Sequence, residues 1–288
     1  MAPDNEIRLA AMSLHRLTIG LLIPVQLLFL SVNASTIPFR RQVTSRRPQV
    51  TFPVLTFAPP SPWGILLLLP GGDGLLATKS SLRHQSRDVL MRLAPAFAKQ
   101  GLKVVIPGPP SDQQRLSYLF RSSKEHREDF QALMAELKGQ SLPLWVAASS
   151  RGSISASWSA DQFRTAKGMI LLSPITQPPK HQPAVIVNSQ LIKASEILTM
   201  IISQRSDPCP VSPPTGAMEL DRQLQGASAV ELIQLQGNTP SNHSKRCSPL
   251  GPHGFGGQET QLMKIMTAWI NQSLDESSPG SMKQIGEP

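Results

Sequence analysis

The sequence predicts a single α/β domain built on a mostly parallel central sheet flanked by helices. Three observations predict it. Short apolar runs such as Gly64-Ile65-Leu66-Leu67-Leu68-Leu69 show no polar alternation, which is the pattern of strands buried on both faces. Between these runs lie segments with apolar residues at helical spacing, so strand and helix signals alternate along the chain. A hydrophobic content of 40% over 288 residues is ample for one large core, while the 27 prolines gather in joints and in both tails.

The first residues have a layout of their own. Arg8 and Arg16 precede an apolar run of about 14 residues, Leu17 to Leu30, and Ser31-Val32-Asn33-Ala34 follows. A basic start, a short apolar stretch and small residues at a cut site describe a secretory signal peptide over residues 1–34, with Met12 as an alternative start. The run is shorter than the roughly 20 residues that cross a bilayer, so no transmembrane anchor is expected after processing. Export to the periplasm or the medium follows.

Residues 35–48 are basic and lack apolar periodicity, and read as a tail. The domain is expected over 49–273. Gln49 to Phe57 alternates apolar residues and reads as an edge strand or hairpin arm, broken by Pro59-Pro60-Ser61-Pro62. Gly64 to Leu69 is the first buried strand and Asp88 to Gln100 a helix closed by Gly101. Lys103 to Pro107 is the next strand, and Lys124 to Leu137 the next helix. Leu144 to Ala148 reads as a strand, Gly152 to Ala160 as a helix, and Gly168 to Leu172, Leu198 to Ile202 and Val230 to Leu235 as strands. Glu259 to Ser273 closes the domain as an amphipathic helix, and 274–288 is a polar tail.

Net charge is +9, and residues 1–34 add nothing to it because Asp4 and Glu6 offset Arg8 and Arg16. The basic residues are scattered and not interleaved with aromatics, which argues against nucleic acid as the partner. A basic surface leaning on anionic envelope surfaces suits an exported protein better. Two cysteines, Cys209 and Cys247, read as one disulfide in an oxidising compartment. His243 and His253 lie near Cys247, but no CxxC or HxxxH spacing supports a metal site, and no cofactor is implied.

Ligands of an open parallel sheet gather at the carboxyl ends of its strands. Four loops there carry suitable chemistry. Ala148-Ser149-Ser150-Arg151-Gly152 fits small-x-Ser-x-Gly, a sharp strand-to-helix turn that lifts a serine hydroxyl clear of the sheet. The flanking residues must be small because the turn is tight. With Ser149 as nucleophile, Arg151 would fall where a small residue is required. Pro70-Gly71-Gly72-Asp73-Gly74 follows the first buried strand with N–H groups able to hold an oxyanion, and lacks the spacing of a nucleotide loop. Asp207, after another strand, and His253, before the last helix, complete the order Ser150, Asp207, His253 expected of a serine hydrolase on such a sheet.

On these motifs the chain resembles the α/β-hydrolase superfamily from about Gln49 to Ile270, and more narrowly a group of exported bacterial members of largely uncharacterised activity. The narrower likeness is carried by PGGDG, by FRSSKEHREDF from Phe120 to Phe130, by SSRGSISA, SDPCP and CSPLGPHGFGG. The resemblance implies Ser150 as nucleophile, His253 as base, Asp207 as acid, and the N–H groups of Gly72 or Asp73 and of Arg151 as oxyanion hole. Ala148 stands where many members have Gly. A Cys209–Cys247 bridge would tie the acid loop to the histidine loop. Only about 25 residues separate Leu172 from Leu198, so little or no lid is expected over the pocket. The expected activity is hydrolysis of an ester-type acyl bond in a small-molecule or lipid-like substrate. Acyl transfer, peptide cleavage, or a binding protein that has lost turnover are the alternatives on the same fold.

Overall fold

The computed structural model describes residues 37–76, 88–180, 184–226, 229–237 and 246–275. The expected signal peptide, His243 and residues 276–288 of the expected tail lie outside them. Eight strands form one sheet: β1 (Phe39–Thr44), β2 (Thr51–Phe57), β3 (Gly64–Leu69), β4 (Leu102–Pro107), β5 (Leu144–Ser149), β6 (Gly168–Leu172), β7 (Thr199–Gln204) and β8 (Val230–Leu235), in the order β1-β2-β4-β3-β5-β6-β7-β8. β1 with β2 and β2 with β4 are antiparallel, and every other pair is parallel. The helices are α1 (Val89–Lys99), α2 (Tyr118–Arg121), α3 (Lys124–Lys138), α4 (Gly152–Trp158), α5 (Ser189–Ser195), α6 (Pro214–Leu224) and α7 (Glu259–Asp275).

The two sheet faces explain the continuous apolar runs. Side chains alternate across a strand, and here both sides are covered. Leu66 and Leu68 of β3 pack with α1 and α7 through Phe97, Met266 and Ile270. Ile65 and Leu67 pack on the other side with Phe130 and Leu133 of α3 and Ala156 of α4. The chain therefore leaves β3 toward one face and β5 toward the other. Because β3 and β5 are neighbours, their departing loops open a crevice at the carboxyl edge, where the strand order reverses.

Residues 35–48 are not wholly a tail, because Phe39–Thr44 forms the edge strand β1. Its outer side faces solvent, so it carries no apolar period to read. Arg47, only 9% exposed, is anchored by Asp129, with Nε to Oδ1 at 3.0 Å and Nη2 to Oδ2 at 2.9 Å, and by Asp112. Burial opposes the charge of Arg47, but these bonds outweigh it and its pKa is raised. Three helices carry no clear signal in the sequence. α2 and α5 are of four and seven residues, too brief for a periodic signal, and α6 opens on prolines that read as loop. The helix expected to Ala160 ends at Trp158 and gives way to a 3₁₀ turn, Ala160–Phe163, and the last helix runs two residues into the expected tail. In the described part of the β6–β7 connection only α5 is regular, so the crevice has no lid from that quarter. Among the described residues no helix is long and apolar enough to cross a membrane.

Candidate active site

β5 delivers the chain to Ser150 at the crevice, and Ser150 takes φ 46°, a left-handed conformation strained for a non-glycine residue. Its N–H donates to Leu172 O at 2.8 Å, and α4 begins two residues later. A Cβ on Gly152 would lie 1.8 Å from Leu69 O, and one on Gly71 would lie 2.9 Å from Ser150 Cβ. Those clashes are the physical reason the turn needs small residues. Ala148, fully buried between Leu69 and Leu171, fits with its methyl group.

The loop after β7 and the 3₁₀ turn Pro252–Gly254 bring Asp207 and His253 to this serine. His253 Nε2 lies 3.0 Å from Ser150 Oγ, and His253 Nδ1 lies 2.9 Å from Asp207 Oδ2. Asp207 Oδ1 accepts the N–H of Cys209 at 2.9 Å, so both carboxylate oxygens are occupied. An ionised carboxylate only accepts, which places the imidazole proton on Nδ1 and leaves Nε2 free to accept the serine hydroxyl. The Asp207 side chain is shielded from solvent and His253 is 5% exposed. Such a line can withdraw a proton from Ser150 while the buried carboxylate stabilises the cation that forms.

Ser149 sits differently. Its hydroxyl donates to Asp88 Oδ2 at 2.7 Å and accepts the Gly71 N–H at 3.1 Å. Asp88 Oδ2 also takes the Gly71 N–H, at 2.8 Å, while Oδ1 caps α1 through Leu90 N–H at 2.9 Å. Ser149 is thus a strut between the elbow and the glycine loop.

That loop is a turn closed by Gly74 N–H to Gly71 O at 3.3 Å. The N–H groups of its central residues, Gly72 and Asp73, point outward as in any β-turn, and like the Arg151 N–H they have no partner among the described residues. Gly72 and Arg151 line the crevice pocket; Asp73 instead holds the Arg151 side chain through an ion pair of 3.1 Å. The pocket has a volume of about 370 Å³, and its apolar wall includes Val89, Leu172, Ile175, Val211 and Phe255.

Cys209 and Cys247 form a disulfide whose two halves also line the pocket. Asp207, Cys209 and His253 offer ligand-type atoms within 4.8 Å of one another. The sulfur is spent in the disulfide, however, and the ring and the carboxylate bind each other, so the set does not suit a metal. Residues the sequence did not single out hold the histidine loop. Arg92 of α1 donates to Pro249 O at 2.9 Å and Gly254 O at 2.8 Å, and Ser173, itself at φ 41°, donates to His253 O at 3.1 Å. No local signal marks them, because each partner lies far along the chain.

Solved structures share the fold. A serine hydrolase without a lid from Xanthomonas campestris superposes with a TM-score of 0.54 at 13% identity, over 85% of this chain and 97% of its own. An esterase from Pyrococcus furiosus gives 0.60 at 13% identity, over 83% and 93%, and a dienelactone hydrolase from Anabaena variabilis gives 0.56 at 13% identity, over 83% and 98%. The chain has the α/β-hydrolase fold. No protein-family model and no curated protein matches its sequence. The crevice is lined from the ends of β3, β5, β6, β7 and β8.

Proposed function

We propose that the protein is an exported serine hydrolase that cleaves an ester-type acyl bond through Ser150, His253 and Asp207. The observation that carries this reading is the hydrogen-bonded line from Ser150 Oγ through His253 to Asp207, ending in a pocket beside two unpartnered N–H groups. In the proposed reaction Ser150 Oγ bonds to the acyl carbon as its proton passes to His253 Nε2. The carbonyl oxygen becomes an oxyanion facing the N–H groups of Gly72 and Arg151. Collapse breaks the ester bond, and the leaving alkoxide takes the proton from His253. Water, deprotonated by the same nitrogen, then attacks the acyl carbon; the bond to Ser150 Oγ breaks, Oγ takes the proton back from His253, and the acid leaves.

The apolar wall suits a hydrocarbon acyl group, and the esterases among the structural neighbours favour a small-molecule ester. Peripheral contact with an anionic lipid surface is part of the reading: the net charge is +9, and Leu75, Leu119 and Leu250, in or beside crevice loops, are exposed. Export follows from the leader-like residues 1–34 and accords with the disulfide.

Mass spectrometry of the exported protein after reaction with a fluorophosphonate tests the whole reading. One adduct on Ser150, absent in His253→Ala, on a chain beginning at Ser35 is expected. A folded, oxidised protein that takes no adduct would instead be a binding protein on this fold.

A further inference from the structure

Arg121 at the end of α2 is 1% exposed and faces no carboxylate at bonding distance among the described residues. Its guanidinium donates instead to neutral acceptors. Nη2 reaches Pro70 O at 3.1 Å and Gly72 O at 3.2 Å, Nη1 reaches Ser155 Oγ at 2.8 Å, and Nε reaches Leu116 O at 3.3 Å. Two of these acceptors belong to the glycine loop after β3, and one to the helix that begins at the Ser150 turn. Burial, and after it the charge of Arg151, pulls the pKa of Arg121 down to about 9, against the pull of Asp88 and Asp73. The group is still charged at neutral pH.

The direction of each loop carbonyl dictates the direction of the next N–H. In a trans peptide the two point oppositely. The Pro70 carbonyl turns to Arg121, and the Gly71 N–H accordingly points away, to Asp88 and Ser149. The Gly72 carbonyl also turns to Arg121, which sends the Asp73 N–H away from it and sets the plane of the turn that displays the Gly72 N–H. A Cβ on Gly74 would come 3.2 Å from Nη2 and 2.5 Å from Leu116 Cδ1, so the turn is packed down on the guanidinium.

The cation also orders what lies behind it. Ser155 Oγ accepts from Arg121 at 2.8 Å and is also bonded to His126 Nε2 at 3.0 Å. His126 is buried, and desolvation, followed by the charges of Arg121 and Arg47, holds its pKa well below the ordinary value. It stays neutral, so it adds no second charge behind Arg121.

Resting on the hydrolase reading above, we propose that Arg121 is the positioning residue of the oxyanion hole: it clamps the carbonyl side of the Gly71–Gly74 turn to Ser155 of the elbow helix. The loop N–H groups and the Ser150 hydroxyl, which come from strands leaving toward opposite faces, are thereby held in one frame. An arginine fits this task and a lysine does not, because only the planar fork, with donors on three nitrogens, meets four separated acceptors at once.

The test compares wild type, Arg121→Lys and Ser155→Ala on p-nitrophenyl acetate and on a fluorophosphonate, with thermal unfolding as the control for folding. Loss of a well-aimed oxyanion donor costs about 10²-fold or more in kcat and leaves KM within about threefold, and Arg121→Lys should show that split. Ser155→Ala, which releases one anchor and favours the helix, should shift kcat in the same direction by about tenfold. The inhibition constant of a trifluoromethyl ketone, whose adduct carries the oxyanion, should rise in step with the fall in kcat. A folded Arg121→Lys with wild-type kcat overturns the role of Arg121. If that variant does not fold, wild-type kcat in folded Ser155→Ala overturns it. A wild-type protein that takes no fluorophosphonate on Ser150 overturns the hydrolase reading itself, and this one with it.

Discussion

At the scale of single residues, two adjacent serines illustrate how neighbours in sequence acquire unrelated tasks. Ser150 occupies the left-handed turn and meets His253, while Ser149 points back and is held by Asp88 and Gly71. Ser149→Ala should therefore keep fluorophosphonate labelling on Ser150 but lower stability by about 1 kcal/mol, since it strips a partner from the half-buried Asp88 carboxylate and from the Gly71 N–H. Denaturant unfolding and peptide mapping read both, and an adduct that disappears with Ser149 would reverse the assignment. The register of the elbow was legible in the sequence because it is a steric matter: Gly152 must be bare, as its Cβ would meet Leu69 O. Asp88, Arg92, Arg121 and Ser173 were not legible. Each is an ordinary polar residue whose partner comes from a distant part of the chain, such as Arg121 with Ser155 and Arg92 with Gly254.

At the scale of elements, Asp207 and His253 are carried by loops rather than by strands, and the disulfide joins those two loops. Cys209 and Cys247 are 38 residues apart in sequence, for which the chain-entropy argument gives on the order of 4 kcal/mol of stabilisation. Cys247 is exposed, so a reductant can reach it. Reduction should slow fluorophosphonate labelling of Ser150 at denaturant concentrations where the circular dichroism of the sheet is still native. A Cys209→Ala, Cys247→Ala protein that labels at the wild-type rate with unchanged stability would contradict this. Strands β3 to β7 were legible from their unbroken apolar runs. The edge strand β1 was not, since its outer side is wet; Arg41 of the strand finds its acid, Glu136, on α3, and Arg47 just beyond it finds Asp129 on α3 and Asp112 in the loop after β4.

At the scale of the whole molecule, a buried neutral histidine links stability to pH. The folded pKa of His126 is well below its ordinary value of 6.5, so below pH 6.5 the unfolded chain binds a proton that the folded one refuses. Stability is thus intact above pH 6.5 and falls as pH drops toward the folded pKa, by about 1.4 kcal/mol per pH unit for one such group. His126→Gln should flatten this acid limb in urea unfolding at pH 5 and 7, and an unchanged limb would place the protonation elsewhere. Local chemistry along the chain was enough to set the fold class, the elbow and the order of Ser150, Asp207 and His253, because strand burial and a tight turn are properties of consecutive residues. Distances between loops are not such properties. That His253 reaches Ser150, that the disulfide lines the same pocket, and that Arg121 faces two loop carbonyls instead of an acid were settled only when the strands assembled in a non-sequential order. The loops after β3 and β5 meet because those strands are neighbours, and in the sequence they are separated by a whole strand and three helices.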